Sequence, residues 1–566
     1  MTTPKEKKAR LAFFSALYAR AKDRHRETLE RLSRHMAQYL GSDELDGSPV
    51  RATAVRNITY EIIESQVSSE IPAPHVSHAG FSPNGERCAV AIERLLLRMR
   101  DELPFERLND LDERYSTIFG GSVWLVEWDA ERTCPGERGG IRVRLLSPED
   151  FIPEPDIPEV EDMEYCFLRF ATPREELTRR YGTPPEELAL PEREAEGDST
   201  GEDTVTVVTC FFREEDGAVS RFVFSGEAIL SDIGDYFGRK EAVCLACGAP
   251  LGTCDCRAGT ALLPREREHV PLPTGEVTVP YYRPHRFPVV IRKNISRPGH
   301  WLGQSDCEVI RPQQQAINKL ESRIQQKLMR SGVTPVMPEG AHASPDNSVF
   351  GQILRLGPGE STAQYGVIDT TPDIGQDILQ SDRLYEQAKR LVGVSDSLVG
   401  LADATAPSGY AKRLQIEQAA GRLESKKRMK EAAYADVDRL IFEFTLAYAD
   451  EARTTPYRDG CGRLCEAVFD RYDFLIRDTV SGEYLFDDAF LFATDKNGGV
   501  AAQRDQLWAR NLENLRAGTL GDPTAPTTLL RYWRAQELAH YPHARENVTY
   551  FEERVAALAE GGDRNG

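Results

Sequence analysis

The first third of the chain alternates between two hydrophobic periods. Residues 5–40 and 87–115 carry apolar side chains every three to four positions, as helices with one buried face do. In the first stretch these are Leu11, Phe14, Leu17 and Tyr18, and in the second Leu95, Leu96, Met99, Leu103 and Leu108. The pattern predicts one or two helices in residues 5–40 and more helix in residues 87–115.

Short strand-like runs follow. Residues 122–129 and 140–146 flank a turn rich in Pro and Gly, which predicts two paired strands. Further strands are predicted at 165–170, 204–213 and 220–224, the last two joined by the turn at 214–217. Residues 184–203 are acidic and rich in Pro, Glu and Gly, which is typical of a surface loop.

After residue 300 the helical period returns. Residues 305–330 carry an apolar stripe at spacings of seven, three, four and four, formed by Ile310, Ile317, Leu320, Ile324 and Leu328. Pro312 is expected to kink this helix, because proline removes a backbone hydrogen bond. Residues 333–372 contain five prolines and short strand-like pieces. Two more helices are predicted at 373–391 and 408–451, the second on the order of 65 Å long.

The last hundred residues return to a mixed pattern. Strands are predicted at 471–476 and 484–492, around the turn at Ser481 and Gly482, and helices at about 501–517, 526–539 and 547–560. The sequence contains no internal repeat. Taken together, the pattern predicts a mixed α+β protein.

The composition is that of a soluble globular protein. The chain has 566 residues, of which 40% are hydrophobic and 28% charged. This length predicts two to four structural regions. The longest apolar runs, such as 287–291, are strand-sized, so we expect no membrane span. The N-terminus lacks the continuous apolar stretch of a secretion signal, so we expect a protein made and used in a cytoplasm.

The formal net charge is −20. Proteins that bind DNA tightly usually carry a net positive charge, because their affinity comes from neutralising phosphates. If DNA is the partner, we expect loose contact along an acidic wall that lets the duplex slide. Taken alone, however, the acidity is better explained as a means of keeping the protein soluble.

Four of the eleven cysteines crowd into thirteen residues, at Cys244, Cys247, Cys254 and Cys256. A Cys-x-x-Cys-Gly turn followed by a second pair suits a tetrahedral, structural zinc site. The single residue between Cys254 and Cys256 is a tighter spacing than usual, so His269 is an alternative fourth ligand. Ordinary reduced cysteines and a redox dithiol remain as other interpretations.

The order of helix, compact Pro-rich segment, helix, small loop and very long helix resembles the central part of bacteriophage portal proteins. Local motifs carry the resemblance: residues 287–290 with 303–320, 393–401 with 407–415, and, upstream, 119–129 with 146–153. As an order of elements, the resemblance spans roughly residues 50 to 540.

The resemblance implies a division of the chain into regions. It places a wing at 1–302, with a zinc-binding insertion at 241–260, and returns to the wing at 455–500. It implies a helical stem at 303–332 and 373–393, a small α/β clip at 333–372 and a tunnel loop at 394–408. A long wing helix at 409–454 and a helical crown at 501–566 complete it.

The resemblance also implies a function. Portal subunits form a ring of twelve at one capsid vertex of the virion, assembled in the host cytoplasm, through which double-stranded DNA is packaged and ejected. The implied partners are the terminase large subunit, a head-tail adaptor protein and the major capsid protein, and no membrane. The portal itself is not an enzyme.

Two groups of residues follow as candidate sites. Two antiparallel helices repeated around a ring form a tube wall, so we expect Ile317, Leu320, Ile324 and Leu328 to be at least partly buried between subunits. The predicted tunnel loop facing DNA has no Lys or Arg, which favours a steric collar over a gripping site; a plain linker is the alternative. It comprises Leu398, Val399, Gly400, Leu401, Ala402, Asp403, Ala404, Thr405, Ala406 and Pro407.

Other functions find less support in the sequence. The basic run from Arg422 to Lys430 is interleaved with glutamates, which favours a solvated, salt-bridged face over a DNA site. The sequence has no nucleotide-binding, zinc-protease or nucleophile-elbow motif. The main alternative is a zinc-ribbon nucleic-acid-binding protein of small oligomeric state, and another is a hydrolase with an unrecognised site.

Overall fold

A computed structural model gives the fold of the chain. It describes residues 4–42, 56–80, 83–134, 137–182, 204–244, 246–247, 260–272, 275–329, 333–336, 344–348, 351–355, 361, 363, 366–369, 373–394, 409–458, 464–478, 482–494, 508, 510–538, 544, 547–552 and 554–555.

Helices dominate the two ends and the middle of the described chain. They are α1 (Pro4–Leu40), α2 (Ile58–Glu64), α3 (Pro83–Glu102), α4 (Phe105–Phe119), α5 (Arg174–Tyr181), α6 (Asp306–Met329), α7 (Gly375–Val392), α8 (Gly409–Tyr448) and α9 (Pro526–Leu538). Residues 510–516 and 547–552 are helical as well.

The strands lie mostly between α4 and α6. In chain order they are β1 (Pro74–His78), β2 (Gly121–Cys134), β3 (Glu137–Leu146), β4 (Phe151–Pro153), β5 (Tyr165–Pro173), β6 (Thr204–Arg213), β7 (Val219–Ser225), β8 (Ala228–Ile233), β9 (Arg239–Cys244), β10 (Thr260–Arg265), β11 (Arg267–Leu272), β12 (Gly275–Pro280), β13 (Val289–Lys293), β14 (Val333–Val336), β15 (Ser344–Ser348), β16 (Gly351–Arg355), β17 (Gly366–Asp369), β18 (Arg453–Arg458), β19 (Leu464–Phe469), β20 (Leu475–Arg477), β21 (Tyr484–Phe486) and β22 (Phe490–Thr494).

The strands pair into several small antiparallel sheets. The largest has the order β4-β5-β6-β7-β8, and a second has the order β13-β2-β3. The remaining strands form two-stranded ribbons, including β9 with β10 and β18 with β19. One ribbon joins distant parts of the chain, since β1 pairs with β22 and Val76 lies opposite Phe492.

The second half of α8 lies at the centre of the molecule. Leu440, Ile441 and Phe442 are successive residues that point in three directions around the helix, and all three are buried. Tyr434 packs edge-on against Trp124 of β2, with 5.2 Å between ring centroids. A helix that is buried on every side needs neighbours all around it, which here include α3, β2, β13 and β22.

The first helix covers the five-stranded sheet. Phe14 of α1 stacks on Phe222 of β7 with 4.6 Å between ring centroids. Tyr18, one turn further on, packs edge-on against Phe167 of β5. The apolar face that was read from the sequence at these positions is therefore the face that binds the sheet.

The prediction of a mixed α+β protein is confirmed. The structure refines two of the predicted elements. The stretch 87–115 is two helices, because Pro104 disfavours helical geometry in the residue before it. The predicted strand 484–492 is two strands, because the chain turns at Asp487, whose carboxylate accepts the Ala489 amide at 3.0 Å and whose own amide bonds Phe474 O.

Candidate functional site

The helices α6 and α7 form an antiparallel hairpin in the region that was predicted to be the stem. Near the end of α6, Lys327 forms an ion pair with Asp377 in the first turn of α7. At the other end, Ile310 of α6 belongs to the same buried cluster as Val392 of α7. We call α6 and α7 the stem hairpin, and the end at Ile310 and Val392 its root. Helix α6 runs through Pro312 without interruption.

The predicted interface stripe is only partly exposed in the single chain. Ile317 is buried within its own chain, among Ile58, Ile62 and Ala388. Ile324 is also buried and Leu320 is half-buried, whereas Leu328 is 49% exposed. Burial of this stripe between subunits stays a prediction. Leu328, at the end of α6 far from the root, is the member of the stripe that a neighbouring subunit could cover most.

Other apolar side chains of the stem hairpin are exposed. Ile378 and Leu379 in α7 are 44% and 64% exposed, and Leu391 is 39% exposed. Isolated exposed apolar residues are ordinary on protein surfaces, but together with Leu328 these four lie on one pair of helices.

Between the two stem helices lie two nested strand pairs. β14 pairs with β17, and the chain between them contains β15 paired with β16. These strands occupy the predicted clip, residues 333–372. The described residues of this segment are strands, apart from Ser361 and Ala363.

The root of the stem hairpin meets the end of α4. Gly120 ends α4 with φ 89°, a conformation that favours glycine. Its carbonyl accepts hydrogen bonds from the amides of Gly303, at 3.0 Å, and Asn294. A side chain at position 120 would collide with the backbone of Gly303. Two of the motifs that carry the portal resemblance, at 119–129 and at 303–320, therefore touch each other.

A cluster of buried charges lies beside this junction. Arg292 of β13 forms ion pairs with Asp112 and, at 2.9 Å, with Glu113 of α4. Lys430 of α8 also pairs with Glu113, at 2.9 Å. Lys426 of α8 donates to Asp306 at 2.6 Å. We call these six residues the ionic cluster. Because three carboxylates face three cations, the burial of each charge is compensated.

In the ionic cluster, Glu113 and Arg292 are held in the ionised form by their partners. Burial would raise the pKa of Glu113, but the cations Arg292 and Lys430 outweigh it and the pKa is lowered. Burial would likewise lower the pKa of Arg292, but Asp112 and Glu113 raise it. For Lys430 burial is the larger effect, and its pKa is lowered despite Glu113. The cluster ties α4, β13, α6 and α8 together through full charges.

The basic run on the long helix is largely accounted for by this cluster. Lys426 and Lys430 are buried and paired as described, and Lys427 lies 3.5 Å from Glu70. Arg428 pairs with Glu424 one turn earlier on the same helix. Residues 426–428 and 430 are salt-bridged as expected, but the expectation of a solvated face is wrong for Lys426 and Lys430, which are buried. The side chain of Arg422 lies outside the described residues.

The ionic cluster was not identified from the sequence, although a signal was there. In α4, Asp112 falls on the apolar stripe formed by Phe105, Leu108 and Phe119. In α8, Lys426 and Lys430 fall on the stripe that continues through Tyr434 and Val437. A charge on a stripe that must be buried indicates an opposite charge facing it.

The predicted zinc site lies at the end of the β9–β10 hairpin. Cys244 is the last residue of β9, is buried, and lies opposite Thr260 of β10. Cys247 is exposed, and Cys254 and Cys256 lie outside the described residues. His269, the alternative ligand, lies in β11 with Thr278 Oγ1 3.0 Å from its Nδ1. The described residues thus include two of the four proposed ligands. Within the described part of the chain, no three potential metal ligands lie close enough together to hold an ion.

The predicted tunnel loop, Leu398 to Pro407, lies outside the described residues, but its two flanks are described. Helix α7 ends at Gly393, whose φ of 81° terminates the helix. Val394 then packs into the cluster at the root of the stem hairpin, and α8 begins at Gly409. The predicted tunnel loop therefore connects the root of the stem hairpin to the start of α8.

Neither known protein families nor curated proteins provide a match for this chain. Within the described residues, no helix combines the length and apolar character needed to cross a membrane.

Proposed function

We propose that this chain is the portal subunit of a tailed bacteriophage, which assembles into a ring of twelve around a DNA channel at one capsid vertex. The observation that carries the proposal is the order and pairing of the central elements. A helix, nested strand pairs and an antiparallel second helix are followed by a long helix whose second half is the core of a strand-rich body. This is the order of stem, clip, stem, tunnel loop and wing that the portal resemblance implies.

The exposed apolar side chains of the stem hairpin support assembly. Leu328, Ile378, Leu379 and Leu391 are exposed in the single chain. In a ring, each stem hairpin has a neighbour on both sides, and these side chains can be removed from water there. Burial of apolar surface is the usual driving force of such contacts.

The charge distribution supports a loose contact with DNA. The chain carries a net charge of −20. The lysines of the long helix at 426, 427 and 430 are already paired with Asp306, Glu70 and Glu113. They are therefore poor candidates for phosphate contacts, and we propose a channel along which double-stranded DNA slides.

In this role the chain works with other components of the particle. We propose that the clip contacts the terminase large subunit during packaging and a head-tail adaptor protein afterwards, that the wing contacts the major capsid protein, and that residues 398–407 form the narrow collar of the channel. We assign the chain no catalytic step.

We also propose that Cys244, Cys247, Cys254 and Cys256 bind one structural zinc ion. Support comes from the β9–β10 pair, in which Cys244 lies opposite Thr260, so that the two ends of the segment carrying the other three cysteines are close together. Arg239 at the base of this hairpin donates to Asp450 at 2.8 Å and to Ala447 O at 3.2 Å, which fixes the hairpin to the end of α8. A zinc ion would then stabilise a loop on the wing.

Electron microscopy of the purified full-length protein in negative stain tests the proposed function. The proposal predicts rings with a central channel in top views. Small, compact particles with no channel would reject it and favour the zinc-ribbon alternative.

A further inference from the structure

The five-stranded sheet has one closed edge and one open edge. At the closed edge, β4 is three residues long, ends in Pro153 and is entirely buried. At the other edge, β8 pairs with β7 alone, and within the described residues its backbone forms no hydrogen bond with another element. Alternate backbone N–H and C=O groups of an edge strand point away from the sheet, so β8 offers a row of unpaired groups.

A groove of about 820 Å³ runs along this open edge. One side is formed by residues 226–232, which include most of β8, and the other by the first turns of α1, with Lys7, Lys8 and Leu11. We call it the edge groove. Because it follows β8 from Ala228 to Asp232, its shape suits an extended chain.

Helix α1 crosses the sheet and continues past β8. Tyr18 packs on β5, Phe14 packs on β7, and Arg10 lies 3.4 Å from Asp232 of β8. Lys7 precedes Phe14 by two turns and shares its face. The three residues from Arg10 to Lys7 span about 4.5 Å of helix, close to the ~4.8 Å between neighbouring strands. Lys7 therefore lies where α1 would cover a sixth strand.

The edge groove carries positive charge that is free to pair. Lys7 and Lys8 are exposed, and neither forms an ion pair within the described residues. Of the two carboxylates in the lining, Asp232 is paired with Arg10 and Glu227 is exposed in the turn between β7 and β8. An acidic side chain on this face of an added strand would thus meet two lysines.

The opposite face of the sheet is apolar at the same edge. Leu230 of β8 packs against a buried cluster that contains Leu177 of α5 and Val223 of β7. Successive side chains of a strand point to opposite faces, so the two faces together favour a strand in which acidic and apolar residues alternate. Leu230 is the extra residue of a bulge, which limits regular pairing to a short segment.

We propose that the edge groove binds a short extended segment of a partner protein, in which acidic and apolar residues alternate, as a sixth strand beside β8. Backbone hydrogen bonds to β8 provide the pairing. The acidic side chains pair with Lys7 and Lys8, and the apolar ones pack beside Leu230. This assignment does not depend on the chain forming a ring.

Fluorescence anisotropy of a labelled heptapeptide of alternating Glu and Val, titrated with the full-length protein, tests the site. The expected result is saturable binding at one site per chain, with a dissociation constant below about 1 mM. A peptide with Lys in place of Glu is expected to bind at least ~10-fold more weakly, because it meets like charges. No saturable binding of the Glu/Val peptide would overturn the proposal.

Two N-methylated peptides separate strand pairing from attraction of charge alone. Methylating the amides of either the Glu or the Val residues removes the donors from one edge of the peptide and leaves the other edge intact. One version should bind at least ~10-fold more weakly and the other as the unmodified peptide does, because only one edge faces β8. Equal affinity of the two versions would rule out the added strand.

Two variants locate the binding. Lys7→Glu is expected to weaken binding of the Glu/Val peptide at least ~10-fold and to strengthen that of the Lys/Val peptide. Lys5→Glu is the matched control, because Lys5 is exposed on the other side of α1 and outside the groove, and should bind as the parent does. Unchanged affinities in Lys7→Glu would place the binding elsewhere. Binding that weakens as the protein concentration rises would show a second copy at this edge and would also overturn the proposal.

Discussion

Arg292 lies between Asp112 and Glu113 with 3% of its surface exposed. Replacing it with Met leaves two buried carboxylates that share the single cation Lys430, which typically costs ~3–5 kcal/mol. We expect Arg292→Met to lower the thermal unfolding midpoint substantially, measured by circular dichroism. Arg428→Met, which removes an exposed pair, should change it little. Similar midpoints for both variants would contradict the role of the ionic cluster.

Two histidines on α1 predict a loss of stability in mild acid. Burial lowers the pKa of His25 to about 4 and of His35 to about 3, in both cases with Arg31 as the second cause. Between these values and about 6.5 the unfolded chain binds more protons than the folded one. The stability that the neutral histidines provide is therefore present above pH 6.5 and is lost as the pH falls through this window. Glu113 acts lower, below about pH 4.5, because its folded pKa is lowered.

The unfolding midpoint measured from pH 8 to pH 5 tests this prediction. It should fall with pH in the parent protein, and His35→Leu should flatten the fall, since Nδ1 of His35 has no partner within the described structure. His75→Leu, which changes a histidine with 61% of its side chain exposed, should follow the parent curve. A parent midpoint that is constant over this range would contradict the prediction.

At the scale of residues, the sequence predicted which apolar side chains are buried better than it predicted the partners of charged side chains. Phe14 and Ile317 were placed on buried faces by their spacing alone, because a helical period fixes which residues share a face. The partners of Asp112 and Arg292 could not be read in this way. They are 180 residues apart, and only the folded chain brings them together.

At the scale of elements, the stem hairpin offers a test of assembly. Ile324 belongs to the predicted interface stripe but is buried within its own chain, so Ile324→Asp would destabilise the single subunit as well as any contact between subunits. Leu379→Asp is a more selective test of assembly, because Leu379 is 64% exposed in the single chain. We expect this variant to fold with an unchanged circular dichroism spectrum and to form fewer rings in size-exclusion chromatography.

The control for this variant is Leu40→Asp. Leu40 is equally exposed, at 65%, but lies at the end of α1 and not on the stem hairpin. It should assemble as the parent does. If Leu379→Asp also assembled fully, the exposed side of α7 would not be a subunit contact.

The β9–β10 hairpin predicts a metal content. Purified protein should contain about one zinc ion per chain by elemental analysis, and replacing Cys244 and Cys247 with Ser should remove it. Cys465→Ser, in β19 and outside the proposed set of ligands, should leave it bound. The stem hairpin should remain folded in all cases. Protein that was never exposed to a chelator and still lacks zinc would contradict the site.

Most elements were predictable because their periods are long and regular. Helices α1, α6, α7 and α8 begin and end within a few residues of the predicted positions. The exceptions are local breaks. Pro104 and the turn at Asp487 divide stretches whose hydrophobic pattern runs through them. The register of strands such as β1 with β22 depends on contacts across some 400 residues, which a period within one segment cannot specify.

At the scale of the whole molecule, one chain combines a large core around α8 with a two-helix hairpin that has its own buried cluster. The body has a large core around α8, whereas the stem hairpin is buried on its inner side near the root and exposes Leu328, Ile378, Leu379 and Leu391. An α-helical hairpin of this kind is more stable when neighbours cover it, and repetition around a closed ring provides two neighbours for every copy.

The most direct test of this account is the mass of the purified particle, measured by mass photometry near physiological salt. A ring of twelve chains of 63.4 kDa has a mass of about 760 kDa, and the account predicts a dominant species at that mass. The Leu379→Asp variant should shift the population toward 63.4 kDa. A parent protein that remains a monomer or dimer across micromolar concentrations would contradict the proposed portal ring.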